Sequence, residues 1–471
     1  MEVTPIGWIL LPLGIVLCWA SPQLLYVLMV FFLPFSATAA VNIGSADSAS
    51  GLQASMLFGS LWILTELSTV FHYSRFPRLQ QLRTPVRQLF LFVVIAGVSL
   101  IVPLWISGHV VIESSELGDS GSIPLQLTGN HISQLGYLVY GILLAILIAF
   151  RNSEAKEFVR SVKIFLISAT FVSLWGFLQF TCWALNLDYP SFIFNTSKTE
   201  SALGYTQQIR DIGLTRISSV ATEPSMFAQV MLVAAVIALF TVISSQPLFS
   251  KARDRLILAI ILGGLLLSTS TTAYLGLVLV ALLYGAALVH LKVLRSKYVI
   301  PLLLFLGALL VAGAFYSPVR DIYESMILGK GDSYSALVRI NSVLLARDYF
   351  LQFPVLGLGW GSVTSHDLVF KLLSNTGVVG FLVFVLFLIT LMKRIWRTAR
   401  SNKDISVNAI WWPGCFSAVL VTLIFTNIFG GFAFTYGHVW FVFGLVIAVP
   451  ALNPLQDSTP HNFDLRPRTV E

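Results

Sequence analysis

What most limits this chain is a succession of apolar runs long enough to cross a bilayer. They fall near 7–20, 22–41, 52–72, 89–106, 132–150, 164–184, 226–243, 256–271, 273–291, 299–316, 368–392, 409–428 and 432–450. Hydrocarbon offers backbone N–H and C=O groups no partners, so each run is expected to be a helix that bonds within itself. The expected fold class is all-α, a polytopic integral membrane helical bundle of about 12–13 spans. Composition agrees. The chain is 56% hydrophobic and 11% charged, with mean hydropathy +0.83, whereas soluble domains carry about a quarter charged residues.

Lys and Arg cluster in alternate connections, at 73–88, 151–163, 244–256, 292–298 and 393–408, with Arg466 and Arg468 in the tail. All of these land on one side if the runs are spans, and the positive-inside rule makes that side cytoplasmic. The N-terminus is then outside and the tail inside. The net charge of +7 is a topology signal, and nucleic-acid binding is not needed to explain it. The N-terminal segment lacks the basic region of a cleaved signal peptide, and Leu17 before Cys18 is too bulky for a lipoprotein cleavage site. Residues 7–20 are read as a retained span. Cys18, Cys182 and Cys415 lie far apart inside apolar runs, which fits buried inert thiols rather than a disulfide or metal framework.

The expected organisation is an N-terminal transmembrane scaffold over 1–184 and an outer loop over 185–225. Helices over 226–316 lead to a large outer loop over 317–367. More helices over 368–450 and a cytoplasmic tail over 451–471 complete the chain. Ionisable residues are nearly absent from the spans. Glu66 is the clear case, and its closeness to His72 and the boundary favours a pairing role. A proton-coupled transporter would show several such groups and matching interrupted helices, and no internal repeat of that kind is visible.

The chemistry-bearing residues sit in two outer segments. In the later one, Ser333 or Ser335 caps a helix running to about Phe350. Leu337, Ile340, Leu344 and Leu351 line one arc of it, which would lie on the membrane with Arg339 on the opposite side and Arg347 on a flank. Pro354 ends the helix, and Gly357, Gly359 and Gly361 give a tight turn before His366 and Asp367. The imidazole of His366 is suited to proton transfer near neutral pH, with Asp367 or a loop carboxylate to orient it. Taken alone, a boundary histidine bonded to backbone is the more ordinary reading. The Gly-Leu-Gly-Trp-Gly run follows a helix and Pro rather than a strand, so it is not a nucleotide loop. In the earlier segment, Arg210 and Arg216 precede Glu223-Pro224-Ser225, where Pro224 opens a new helix. That helix N-terminus and Arg216 make an anion-friendly site, with phosphate or diphosphate the natural ligand. The ordinary alternative pairs Arg216 with Glu223.

These segments together resemble the O-antigen ligase and O-antigen polymerase superfamily of bacterial envelope enzymes. The resemblance rests on Arg216 ahead of Glu223-Pro224-Ser225 and on Arg339 ahead of Pro354-Val355-Leu356-Gly357-Leu358-Gly359. His366 opening a helix with Gly377-Val378-Val379-Gly380 completes it, and the likeness covers roughly residues 205 to 390. It implies an inverting, metal-independent glycosyltransferase of GT-C-like helical fold that needs no cofactor. Its donor would be glycan on undecaprenyl diphosphate at the outer face of the bacterial inner membrane, and its acceptor a glycan or lipid A core. A flippase and a chain-length regulator would be partners. Arg216 and Arg339 would hold the diphosphate and His366 would act on the acceptor hydroxyl, with Glu223, Arg347 and Arg210 as further substrate-binding candidates. Members associated with ligation often carry Pro-Asn at the second element. The acidic variant here looks more like a polymerase, with ligase, lipid or solute transporter and non-catalytic scaffold as alternatives.

Overall fold

Every apolar run except 299–316 falls at least in part on a helix. The computed structural model describes residues 1–44, 50–73, 82–114, 121–198, 208–209, 214–244, 246–290, 334–401, 412–429 and 434–452, and run 299–316 lies outside them. The helices are α1 Gly7–Ala20, α2 Pro22–Phe32, α3 Ala54–Tyr73, α4 Arg83–Ser99, α5 Ile101–Trp105, α6 Gly129–Arg151, α7 Ala155–Ala184 and the short α8 Ser191–Phe194. They continue with α9 Pro224–Ile243, α10 Lys251–Leu267, α11 Thr271–His290, α12 Tyr334–Gln352, α13 Leu368–Ser401, α14 Trp412–Phe429 and α15 Gly437–Ala448. Among the described residues, five stretches are long and apolar enough to cross a membrane: Arg83–Trp105, α6, α7, α9 and Leu368–Ala399.

The chain is mostly helical with little sheet, as the sequence leads one to expect. Run 22–41 stops being helical at Phe32, because Pro34 has no N–H to give and its ring crowds the preceding turn. It resumes as strand β2, Ala39–Ile43, between β1 (Glu2–Val3) and β3 (Ser50–Gln53) in an antiparallel sheet. Two small hairpins follow, β4 (Val111–Glu113) with β5 (Ser122–Pro124), and β6 (Gln208–Ile209) with β7 (Leu214–Thr215).

Helix α9 is apolar on all sides and buried on nearly all of them, as a helix at the centre of a bundle must be. Helix α15 is buried from His438 to Ala448. It packs against α6 where Gly141 faces the Trp440 indole and Gly444 faces Ile148. A Cβ at Gly444 would lie 2.6 Å from Ile148 Cγ2. Small residues allow this approach, which matters where lipid removes the usual hydrophobic drive between helices.

The predicted surface helix is α12. Its free arc carries Leu337, Ile340, Leu344 and Leu351, all exposed, while Ala346 and Tyr349 pack on Leu358 and Val363. The Tyr349 hydroxyl accepts from the Glu113 N–H and donates to the Val111 carbonyl, at 2.9 and 3.1 Å. The predicted glycine turn is also present. Gly357, Gly359 and Gly361 have φ of +66°, +99° and +88°, a region that costs residues with a Cβ dearly.

This turn covers a break in α13. Gly377 is non-helical, with φ 63° and ψ −168°, and its Cα lies against the Val355 carbonyl. The backbone groups freed there bond to the turn, Leu358 N–H to Ser374 O at 2.7 Å and Val378 N–H to Pro354 O at 2.8 Å. Asn375 completes the seam. Its Oδ1 accepts from the Gly361 and Val363 N–H groups, and its Nδ2 donates to the Val363 and Lys371 carbonyls. Irregular backbone inside an apolar bundle survives only when it is satisfied in this way.

Candidate functional site

Three separated segments converge beside the N-terminus of α9. The stretch 217–222 leading to it is buried and pinned from α7, where Gln179 Oε1 accepts from the Ser218 and Ser219 N–H groups at 3.1 and 2.7 Å. Ser219 itself sits at φ +54°. Glu223 holds the extended N-cap position, and Pro224 opens the helix. The Glu223 carboxylate accepts from Ser225 Oγ at 2.9 Å.

Arg216 does not bond Glu223. Its Nε donates to Thr269 Oγ1 at 2.9 Å and weakly to Ser268 O at 3.3 Å, and its Nη2 points at Thr269 O from 3.5 Å. The receiving turn joins α10 to α11, is buried, and places Thr269 at φ +48°. One edge of the guanidinium is thus anchored, and Nη1 has no hydrogen-bond partner among the described residues.

Arg339 lies on the inner face of α12, one turn before the fully buried Ser342. Among the described residues, no side chain or carbonyl bonds its guanidinium. Ser342 Oγ donates to the Arg339 carbonyl at 2.8 Å and accepts from the His366 N–H at 3.2 Å. His366 Nδ1 lies 3.0 Å from the same oxygen. With the hydroxyl proton on the Arg339 carbonyl, Nδ1 is the donor in that third bond. Nε2 is then the unprotonated nitrogen, and it has no hydrogen-bond partner among the described residues.

Electrostatics tie these groups together. Burial lowers the proton affinity of the Arg216 guanidinium, and so does the Arg339 charge, while Tyr274 and Glu223 raise it. Burial also pushes His366 below the ordinary imidazole value, Arg339 and Lys371 add to this, and Glu223 opposes them. Arg339 and Glu223 act on Tyr436 as well. Arg216, Glu223, Arg339, His366 and Tyr436 therefore share one field.

Two candidates stand apart. Arg347 is exposed and bonds the neighbouring Asp348 at 2.7 and 2.9 Å. Arg210 lies outside the described residues. Asp367 does not orient His366. It caps α13, its Oδ2 accepting from the Phe370 N–H at 2.8 Å and its Oδ1 from Ser365 Oγ. Ser342 takes the orienting role, with no stronger sequence signal than its place one turn after Arg339. The Ser268–Thr272 hydroxyl run stands out between apolar runs, yet nothing local says it receives an arginine. Among the described residues no group of three or more His, Cys, Asp or Glu is placed to hold a metal.

No protein-family model matches this chain, and no curated protein matches it.

Proposed function

We propose that this chain is a multi-pass glycosyltransferase of the bacterial inner membrane. It transfers glycan from undecaprenyl diphosphate to a sugar hydroxyl at the periplasmic face, as a polymerase rather than a ligase. The observation that carries the reading is the shared field of Arg216, Arg339, Glu223 and His366, drawn from segments far apart in sequence. Two guanidinium groups within one field suit a diphosphate, whose oxygens a guanidinium meets in bidentate fashion. A neutral imidazole with Nε2 free suits a general base.

In the reaction, the acceptor hydroxyl oxygen attacks the anomeric carbon while the bond from that carbon to the diphosphate oxygen breaks, inverting the centre. His366 Nε2 takes the hydroxyl proton. The electron pair leaves with the diphosphate, whose growing charge meets Arg216 and Arg339. Glu223 lies in the field of Arg216 and of His366 and opposes the effect of Arg339 on both. The exposed arc of α12 lies in the interface, where a polyprenyl chain arrives.

The test uses purified protein with lipid-linked oligosaccharide, with and without lipid A core. Arg216→Ala, Arg339→Ala and His366→Ala are each expected to stay in the membrane and lose on the order of 10²-fold or more in turnover. Normal glycan ladders from all three would end the proposal, and transfer only to lipid A core would make the enzyme a ligase. The broken helix α13 favours one second reading, a lipid transporter. In that case Glu66→Gln stops flipping while the arginines are dispensable.

A further inference from the structure

A small cavity lies beside this site, between the loop after α2, the start of α9 and the start of α15. Its walls include Leu33, Ser36, Gln53, Met226, Tyr436 and His438, and it measures about 10 Å³, room for one water-sized group. His438 is 6% exposed, and its Nε2 has no hydrogen-bond partner among the described residues. A buried imidazole nitrogen left in this state is costly, and nearly all such atoms in folded proteins are bonded. The ring is also fixed in place, stacked on Tyr436 with centroids 5.7 Å apart and planes 17° from parallel.

The cavity is tied to the charged groups on two sides. Ser36 Oγ accepts from the Thr222 N–H at 3.2 Å, one residue before Glu223. Tyr436 lies in the fields of Glu223 and Arg339. Its lining mixes apolar side chains, Leu33 and Met226, with polar ones, Gln53 and His438. That mixture suits carbohydrate, which offers hydroxyls and C–H surface together. The space is too small for a ring, so a single hydroxyl enters while the ring stays outside.

We infer that His438, Tyr436 and Gln53 form a subsite for one sugar hydroxyl, donated to or accepted from His438 Nε2. This rests on the glycosyltransferase reading and adds a sugar-recognising element to a site otherwise built for diphosphate. The hydroxyl belongs either to the donor glycan or to the acceptor, and kinetics separates the two.

Full-length protein in nanodiscs would be assayed with undecaprenyl-diphosphate-linked oligosaccharide as donor and the same oligosaccharide, released from lipid, as acceptor. His438→Leu is expected to raise the KM for one of them about tenfold, the scale of one lost hydrogen bond to a buried group. A rise for the acceptor alone places the hydroxyl there, and a rise for the donor alone places it on the donor. His438→Gln, which keeps a hydrogen-bonding group, is expected to recover most of the loss. It also guards against a folding defect, checked by an unchanged melting temperature. Calorimetric titration with the released oligosaccharide gives a readout independent of turnover. Unchanged KM values and unchanged binding in His438→Leu would overturn the subsite and leave an ordered water in the cavity, with Arg339→Ala still inactive. If Arg339→Ala and His366→Ala are both fully active, the enzyme reading fails on its own. Weaker sugar binding by His438→Leu would even then keep the subsite.

Discussion

Replacing Ser342 by Ala removes the one oxygen that bonds His366 at both its backbone N–H and its Nδ1. A neutral hydrogen bond is worth about 1 kcal/mol net, so its loss lowers the preference for the Nδ1–H tautomer about fivefold. If His366 Nε2 is the base, kcat of Ser342→Ala falls about five- to tenfold while the donor KM holds, since no group touching the diphosphate has changed. Ser342→Thr keeps the hydroxyl and is expected to restore most of kcat, although its methyl must fit a fully buried position. Nitrogen-15 spectra of histidine-labelled protein read the tautomer directly. With 7 histidines in the chain, the His366 signals are assigned by difference against His366→Gln. The wild type should show a protonated Nδ1 and a bare Nε2, and the alanine variant a mixture. A wild-type spectrum with the proton on Nε2 would refute the bonding scheme whatever the kinetics.

Three further outcomes follow from the same geometry. His366 is held below its ordinary 6.5 by burial and by Arg339 and Lys371, against Glu223. Its neutral form therefore stabilises the fold fully above about pH 6.5, and that contribution is lost as pH falls through the lower folded value. The acidic limb of the rate profile should lie below 6.5 and move up in Lys371→Met, and a limb that stays or moves down would exclude His366 as the base. Asn375→Ala leaves the Gly361 and Val363 N–H groups without their acceptor and should cost about 2–5 kcal/mol in denaturant unfolding, a loss under about 1 kcal/mol meaning that the seam is not structural. Inorganic pyrophosphate should raise the melting temperature of the wild type but not of a double Arg216→Ala, Arg339→Ala variant, and the gain should shrink with added salt. Equal shifts in both proteins would mean that the arginines do not hold the anion.

The helices were legible because their cause is local. Apolar length is written along the chain, and α12 and its exposed leucine arc follow from 3.6-residue spacing. Pro34 was equally visible, but an apolar run crossing it looks continuous to hydropathy, and β2 forms only because β1 and β3 pair with it. At the site, the residue types were legible and the partners were not. Arg216 has Glu223 seven positions on, which makes an ion pair the local guess. The turn that receives Arg216 instead is about fifty residues away in the chain. Asp367 adjoins His366 and is the nearest orienter in sequence, yet its carboxylate is spent on capping α13. That frees Ser342 to set the ring from another helix.

Each of these departures places a polar anchor beneath a charge rather than an opposite charge against it. Arg216 is fixed through a hydroxyl and carbonyls, and His366 through a hydroxyl. Arg339 is carried by a helix whose other inward residues are buried in packing. An ion pair between Arg216 and Glu223 would have neutralised the guanidinium and left a ligand to compete with the carboxylate. Neutral anchors hold position without cancelling charge, so Arg216 and Arg339 remain in each other's field. Under the glycosyltransferase proposal, a diphosphate would relieve the repulsion between these like charges with little reorganisation of the site. The rigidity this demands comes from the seam over Gly377 and from Gln179 under Ser218 and Ser219. The bundle therefore holds two like charges within one field.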